Sequence, residues 1–114
     1  MIKKIIISGK GGQGVKYLSK KLSERLIEKK FEVSLILTYD AAMEGGDIFA
    51  QLVYSDKEIE NPLISKADLL VELGKIKEEF KFDKKITKED IEKKFPDERL
   101  NDGAMGFLVD ELGL

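Results

Sequence analysis

Six residues near the start of the chain, Gly9-Lys10-Gly11-Gly12-Gln13-Gly14, carry the pattern best suited to chemistry. They follow the apolar run Ile5-Ile6-Ile7 and precede a stretch with helical periodicity. Glycine loses more conformational freedom on folding than any other residue, so this cluster implies a turn that side chains would obstruct. A strand that turns through glycines into a helix leaves backbone N–H groups unpaired at the helix start. With the helix dipole, those groups attract a phosphate, a carboxylate or a partner's carbonyl oxygen. Gly9, Gly11 and Gly14 satisfy G-x-G-x-x-G directly after an expected strand, the context of a dinucleotide fingerprint. The ribose-binding acid is less well provided for, because its one candidate, Asp40, comes late. Val15-Lys16 stands where a Walker loop has Lys-Ser or Lys-Thr, which argues against a P-loop ATPase. Close packing of a helix on a sheet accounts for Gly14 but not for the whole cluster. Gln13 brings both donors and an acceptor to the helix start. It either orients a ligand or a partner's backbone, or caps its own loop.

The elements around this turn read as an α/β fold. Ile2 to Ser8 is a β-branched strand covered on both faces, as in a parallel sheet. Val15, Leu18, Leu22 and Leu26 form one apolar stripe of a helix over about 13–30. Val33 to Thr38 is a second strand, completing a βαβ unit. Tyr39 to Gly46 is a loop, and Ile48 to Tyr54 a third strand. The link between strands two and three is too short for a helical crossover, so the third runs antiparallel to its neighbour. A polar connection with a turn at Asn61-Pro62 leads to strand four, Asp68 to Leu73, closed by Gly74. From Lys75 to Lys85 the signal is weak: Ile76 and Phe80 are spaced to share a face of a short helix, and this is also where irregular structure is most expected. Thr87 is expected to cap a helix with Asp90 three positions on, Ile91 and Phe95 buried, and Pro96 as the stop. A last helix beginning near Asn101 or Asp102 buries Met105, Leu108 and Leu112. The expected architecture is a three-layer Rossmann-like sandwich, its sheet mostly parallel with one antiparallel strand.

Composition limits the chemistry available to the chain alone. Its 114 residues make one domain, 1–114, with 42% apolar content. No apolar run is long enough to cross a bilayer and no signal peptide is visible, so the expectation is a soluble cytoplasmic protein. Cysteine is absent, which excludes disulfides and thiolate-held iron–sulfur clusters within this chain. Histidine is also absent, removing the usual general base and the commonest transition-metal ligand. Net charge is −2 although 37% of residues are charged, and the lysines alternate with acids, so nucleic-acid binding is not favoured. Abundant Lys and Glu without Cys, His or Trp resembles the surface habit of thermophile proteins. Asp47, Asp56, Glu58 and Glu60 lack the tight spacing of a cation loop and read as solvated charge.

Ser8-Gly9-Lys10-Gly11-Gly12-Gln13-Gly14-Val15 resembles the G-x-G-G-Q-G-[VI] signature of the gamma subunit or domain of 2-oxoacid:ferredoxin oxidoreductases, which include the pyruvate, 2-oxoglutarate, 2-oxoisovalerate and indolepyruvate enzymes. Tyr39, Gly45 and Gly46 match the ends of the family's Y-G-P-E-x-R-G-G loop. Pro62, Ala67-Asp68 and Leu70-Val71 are similar to its P-x-x-x-x-A-D-x-L-[VL] stretch, and Asn101 to Gly106 to its N-x-x-x-L-G helix. Asp40-Ala41-Ala42-Met43-Glu44 departs from the loop's middle: Glu44 reverses the charge of the family's arginine, and Ala42 replaces its glutamate. The chain is also shorter than the family's usual length, and the missing part is expected after Gly74, where a further strand and helix would follow.

The resemblance implies a non-catalytic subunit of a complex that decarboxylates a 2-oxoacid to an acyl-CoA and passes electrons to ferredoxin. It places thiamine diphosphate, the iron–sulfur clusters and coenzyme A with other subunits, of alpha, beta and delta types, so no cofactor and no catalytic residue is expected in this chain alone. The expected contact residues are Gly9, Gly11, Gly12, Gln13 and Gly14 in the turn, and Tyr39, Met43, Glu44, Gly45 and Gly46 in the loop. Met43 among alanines suggests an apolar patch facing protein instead of a small anion. Tyr39 either touches a ligand or partner, or packs its ring over the loop. Two other readings stand beside this one: a small nucleotide- or cofactor-binding protein that uses the turn directly, and a homologue repurposed for a new partner. Self-association is compatible with each.

Overall fold

A computed structural model describes residues 1–39 and 45–114. In chain order the elements are β1 (Ile2–Lys10), α1 (Val15–Glu28), β2 (Glu32–Tyr39), β3 (Asp47–Ser55), β4 (Ala67–Glu72), β5 (Phe82–Thr87), α2 (Lys88–Lys94) and α3 (Leu100–Leu112). The five strands form one sheet in the order β2-β3-β1-β4-β5. β1 is central because its side chains are apolar on both faces. Ile5 and Ile7 are fully buried among the helices, while Ile6 is buried on the opposite face.

β3 is the single antiparallel strand, paired with β1 on one side and β2 on the other. The short link from β2 forces this reversal, and β3 thereby takes the position between the two strands of the βαβ unit. β4 and β5 continue on the other side of β1, both in parallel pairing.

All three helices cover one face. Val15, Leu18, Leu22 and Leu26 of α1 meet Ile5, Ile7, Leu52 and Val71 of the sheet, and Ile91 of α2 and Leu108 of α3 join the same cluster. The third layer is irregular chain in place of helix. Ile64 and Phe80 pack on Ile6, Ala67 and Leu70, and Phe80 meets Phe49 edge-to-face at 5.0 Å.

Several expectations are corrected. The short helix through Ile76 and Phe80 does not form; Phe80 points into the second cluster, and residues 82–87 become β5. Along β5 only Ile86 is buried, because the strand lies at the sheet edge and its other side chains reach water. That exposure removes the apolar alternation by which a strand is recognised. The strand expected to be missing after Gly74 is therefore present. At the last helix Leu108 is fully buried, whereas Met105 and Leu112 are only half-buried at the margin of the cluster. Phe95 is likewise half-buried. Its ring lies on Gly103 and Gly106, whose lack of side chains lets α2 and α3 approach.

The Thr87 cap forms as a capping box: the Thr87 N–H donates to Asp90 Oδ2 at 2.9 Å and the Asp90 N–H to Thr87 Oγ1 at 3.2 Å. The Thr87 amide, and after it the Thr87 hydroxyl, hold the Asp90 carboxyl below the usual carboxylate range. A carboxyl whose folded pKa is depressed contributes fully above its unfolded value and loses that contribution as pH falls through the folded one. Thr87→Ala is expected to lower stability in urea unfolding by about 1 kcal/mol. Asp90→Asn, which cannot titrate there, is expected to lose less stability than the parent as pH falls from about 5 to about 3.

Candidate functional site

The turn begins later than its glycines suggest. Gly9 and Lys10 still belong to β1 and pair with Ile48 and Asp47 of β3. Gly11 then crosses close to the chain that enters β3. Its N–H donates to the Gly46 carbonyl at 2.8 Å, and a Cβ at position 11 would lie 2.9 Å from Gly45 Cα. The two glycine groups, far apart in sequence, are thus one contact. Gly14 precedes α1 at φ 88°, and a Cβ there would overlap the Asn101 side chain at the start of α3.

Gln13 makes the bonds of a loop cap. The Lys10 N–H donates to Gln13 Oε1 at 2.6 Å, and Gln13 Nε2 donates to the Leu73 carbonyl at 3.1 Å. Gly74 leaves the room that the carboxamide occupies. One side chain thereby joins the end of β1 to the end of β4, next to a backbone bond from Leu73 N to Ser8 O of 2.8 Å. The location matters. From β1 the chain leaves over the helical face, and from β4 it leaves towards the opposite face, where Phe80 packs. Such a divergence opens the crevice in which open α/β sheets hold their ligands. Here the Gln13 carboxamide lies in it.

Asp47 ties the same region from outside. Lys10 Nζ pairs with its carboxylate and the Lys77 N–H donates to Oδ2 at 2.8 Å. The Lys10 ammonium, then the Lys77 amide, hold the Asp47 carboxyl below its ordinary range. Asp56 faces the Met1 amino group at 3.0 Å. Among the described residues no group of three or more His, Cys, Asp or Glu gathers as a metal site.

What the turn presents outwards is a surface. Lys10, Gly11 and Gly12 are exposed. Among the described residues, the amides of Gly12, Val15, Lys16 and Tyr17 meet no acceptor. A shallow depression of about 440 Å³ is bordered by Gly12, Lys16, Tyr17, Lys20 and Ile48. A second, of about 330 Å³, is bordered by Gly11, Lys16, Tyr39, Gly45 and Gly46. Tyr39 is 64% exposed and Tyr17 52%, so two aromatic rings stand on this face, with Lys16 bordering both depressions. Asp40, Met43 and Glu44 lie outside the described residues. Tyr17, Asp47 and Asn101 were not singled out as site residues. The available signal was Tyr17 itself, an aromatic residue on the lysine-rich side of α1. Asn101 Oδ1 is buried without a partner among the described residues.

Because Gln13 carries two bonds across the crevice, Gln13→Ala is expected to destabilise the fold by about 2 kcal/mol in urea unfolding. Gln13→Glu is expected to cost at least as much at neutral pH, since a carboxylate then faces the Leu73 carbonyl, and to recover part of the loss at acid pH, where the protonated acid can donate. Gly11→Ala should destabilise as well, through the approach of its Cβ to Gly45.

The fold has known counterparts. The family model for pyruvate ferredoxin/flavodoxin oxidoreductase matches residues 4–91. The pyruvate oxidoreductase subunit PORC from Thermotoga maritima is 25% identical with a TM-score of 0.55; the match covers 64% of this chain and 38% of that one. The keto/oxoacid ferredoxin oxidoreductase gamma subunit from Geobacter sulfurreducens is 15% identical with a TM-score of 0.60, covering 96% of this chain and 75% of that one. The 2-oxoglutarate:ferredoxin oxidoreductase from Magnetococcus marinus reaches a TM-score of 0.70 at 15% identity, over 95% of this chain and 24% of that one. A search of curated proteins found no match. The chain thus spans well under half of the Thermotoga and Magnetococcus chains, while the family model covers most of its own length. It belongs to the pyruvate ferredoxin/flavodoxin oxidoreductase family.

Proposed function

We propose that this chain is a non-catalytic gamma-type subunit of a cytoplasmic 2-oxoacid:ferredoxin oxidoreductase and works by docking to alpha-, beta- and delta-type subunits. In that assembly a 2-oxoacid is oxidatively decarboxylated to an acyl-CoA and the electrons pass to ferredoxin. Thiamine diphosphate, iron–sulfur clusters and coenzyme A then belong to the other subunits. The residues of this chain agree with that division. It has no cysteine to ligate a cluster, and the crevice where a diphosphate would approach the strand ends holds the Gln13 carboxamide.

The observation that carries the reading is the glycine-turn face. The backbone within the turn is fastened inwards by Gln13, Gly11 and Asp47, while Tyr17 and Tyr39 project outwards beside Ile48, Lys16 and Lys20. A fixed backbone with exposed aromatic residues is the composition of a protein-docking patch. The occupied crevice favours this reading over direct nucleotide binding.

Affinity purification at native expression tests it. Thiamine-diphosphate-binding and ferredoxin-like chains are expected to co-purify. The double variant Tyr17→Ala/Tyr39→Ala should lower their recovery by about tenfold or more at an unchanged thermal melt, as the loss of aromatic anchors does at other interfaces. Recovery of the chain without such subunits would remove the claim of membership in the complex and leave the family and fold.

A further inference from the structure

The two edges of the sheet are built differently. β5, at one edge, carries Asp83, Lys84 and Lys85, the kind of charge that keeps an edge strand from pairing with another chain. β2, at the other, reads Glu32-Val33-Ser34-Leu35-Ile36-Leu37-Thr38-Tyr39 and has no charged residue after Glu32 and no proline. It pairs along its whole length with β3 on the inner side. Among the described residues nothing pairs with its outer side. An outer edge with seven uncharged residues in a row is a template for strand addition.

The core is also unfinished along this rim. Val33, Leu35 and Leu37 pack against the helix-side cluster yet are only half-buried. α1 packs over β2, and Ile27, on the side of α1 away from the α3 groove, is 57% exposed. Ile36 is half-buried on the opposite face, in register with Gln51.

We propose that β2 pairs antiparallel with β2 of a second copy of this chain, about a two-fold axis normal to the sheet, giving a ten-stranded sheet across the dimer. Such an axis keeps each face on its own side, so only residues of equal parity meet. In one such register Leu35 lies opposite itself, Val33 opposite Leu37, and Ser34 opposite Ile36. Shifted by one step, Ile36 lies opposite itself and Leu35 opposite Leu37. In both, the aliphatic row of one copy extends the row of the other, and no like charges within β2 are opposed. A second copy is the occupant that brings an identical unfinished rim, so one pairing completes two cores and satisfies both outer rows of backbone groups.

The test is solution mass over a range of concentrations, with charge reversal across the axis. The parent chain of 12.9 kDa should move towards twice that mass as concentration rises. Ser34→Lys/Ile36→Lys sets lysines opposite each other in both registers and should remain at the mass of one chain, as should Ser34→Glu/Ile36→Glu. Mixed in equal amounts, the two variants should form a heterodimer, which distinguishes lost pairing from lost folding. A parent that stays at single-chain mass throughout overturns the proposal. So do lysine variants that still dimerise, or a mixture of the two variants that remains monomeric.

Discussion

The close crossing of Gly11 over Gly45 and Gly46 is the constraint on which the rest of the site depends. With the Gly11 N–H bonded to the Gly46 carbonyl, the exit of β1 and the entry of β3 are held together. That fixes the register of β3 against β1 at its far end, where Gly9 meets Ile48 and Lys10 meets Asp47. It also aims the chain so that the Gln13 carboxamide reaches Leu73. A side chain at position 11 would push the two backbones apart, because the nearest atom is backbone and not the flexible end of a side chain.

Three separate parts of the sequence meet around this crossing. The glycine turn contributes Gln13, the end of β4 contributes the Leu73 carbonyl and the space at Gly74, and the start of α3 contributes Asn101 against Gly14. Asp47 adds a brace between Lys10 and the Lys77 amide. The outcome is a rigid platform at the C-terminal end of β1 whose polar groups largely serve the protein's own architecture. What remains for an outside partner is the rim of tyrosines and lysines and the unpaired amides at the start of α1. Association through a pre-formed face loses little conformational freedom, which suits the docking role proposed for it.

The sheet offers two kinds of surface for association, separate in chemistry. The turn face works through side chains, with rings and ammonium groups on a fixed backbone. The β2 edge works through backbone hydrogen bonds, with an aliphatic row to settle the register. Charged β5 offers neither. This asymmetry follows from the strand order, which places β2, with one charged residue, at one edge and β5, with three, at the other.

Much of this was legible beforehand because local chemistry dictated it. Ile5-Ile6-Ile7 specified a strand buried on both faces, the Val15-Leu18-Leu22-Leu26 stripe specified α1, and Thr87 with Asp90 specified a helix start through bonds made within four residues. The short link between β2 and β3 required an antiparallel return. β5 was not legible, since an edge strand held by its parallel pairing with β4 needs few apolar side chains of its own. The residues of the site were visible as types, but not their division of labour. Gln13 looked equally suited to a ligand and to its own loop, because a carboxamide presents the same donors and acceptor to either. Only the fold brought the Leu73 carbonyl, 60 positions on, and the gap at Gly74 to it, and a partner that distant in the chain leaves no periodicity or spacing for a linear reading to detect.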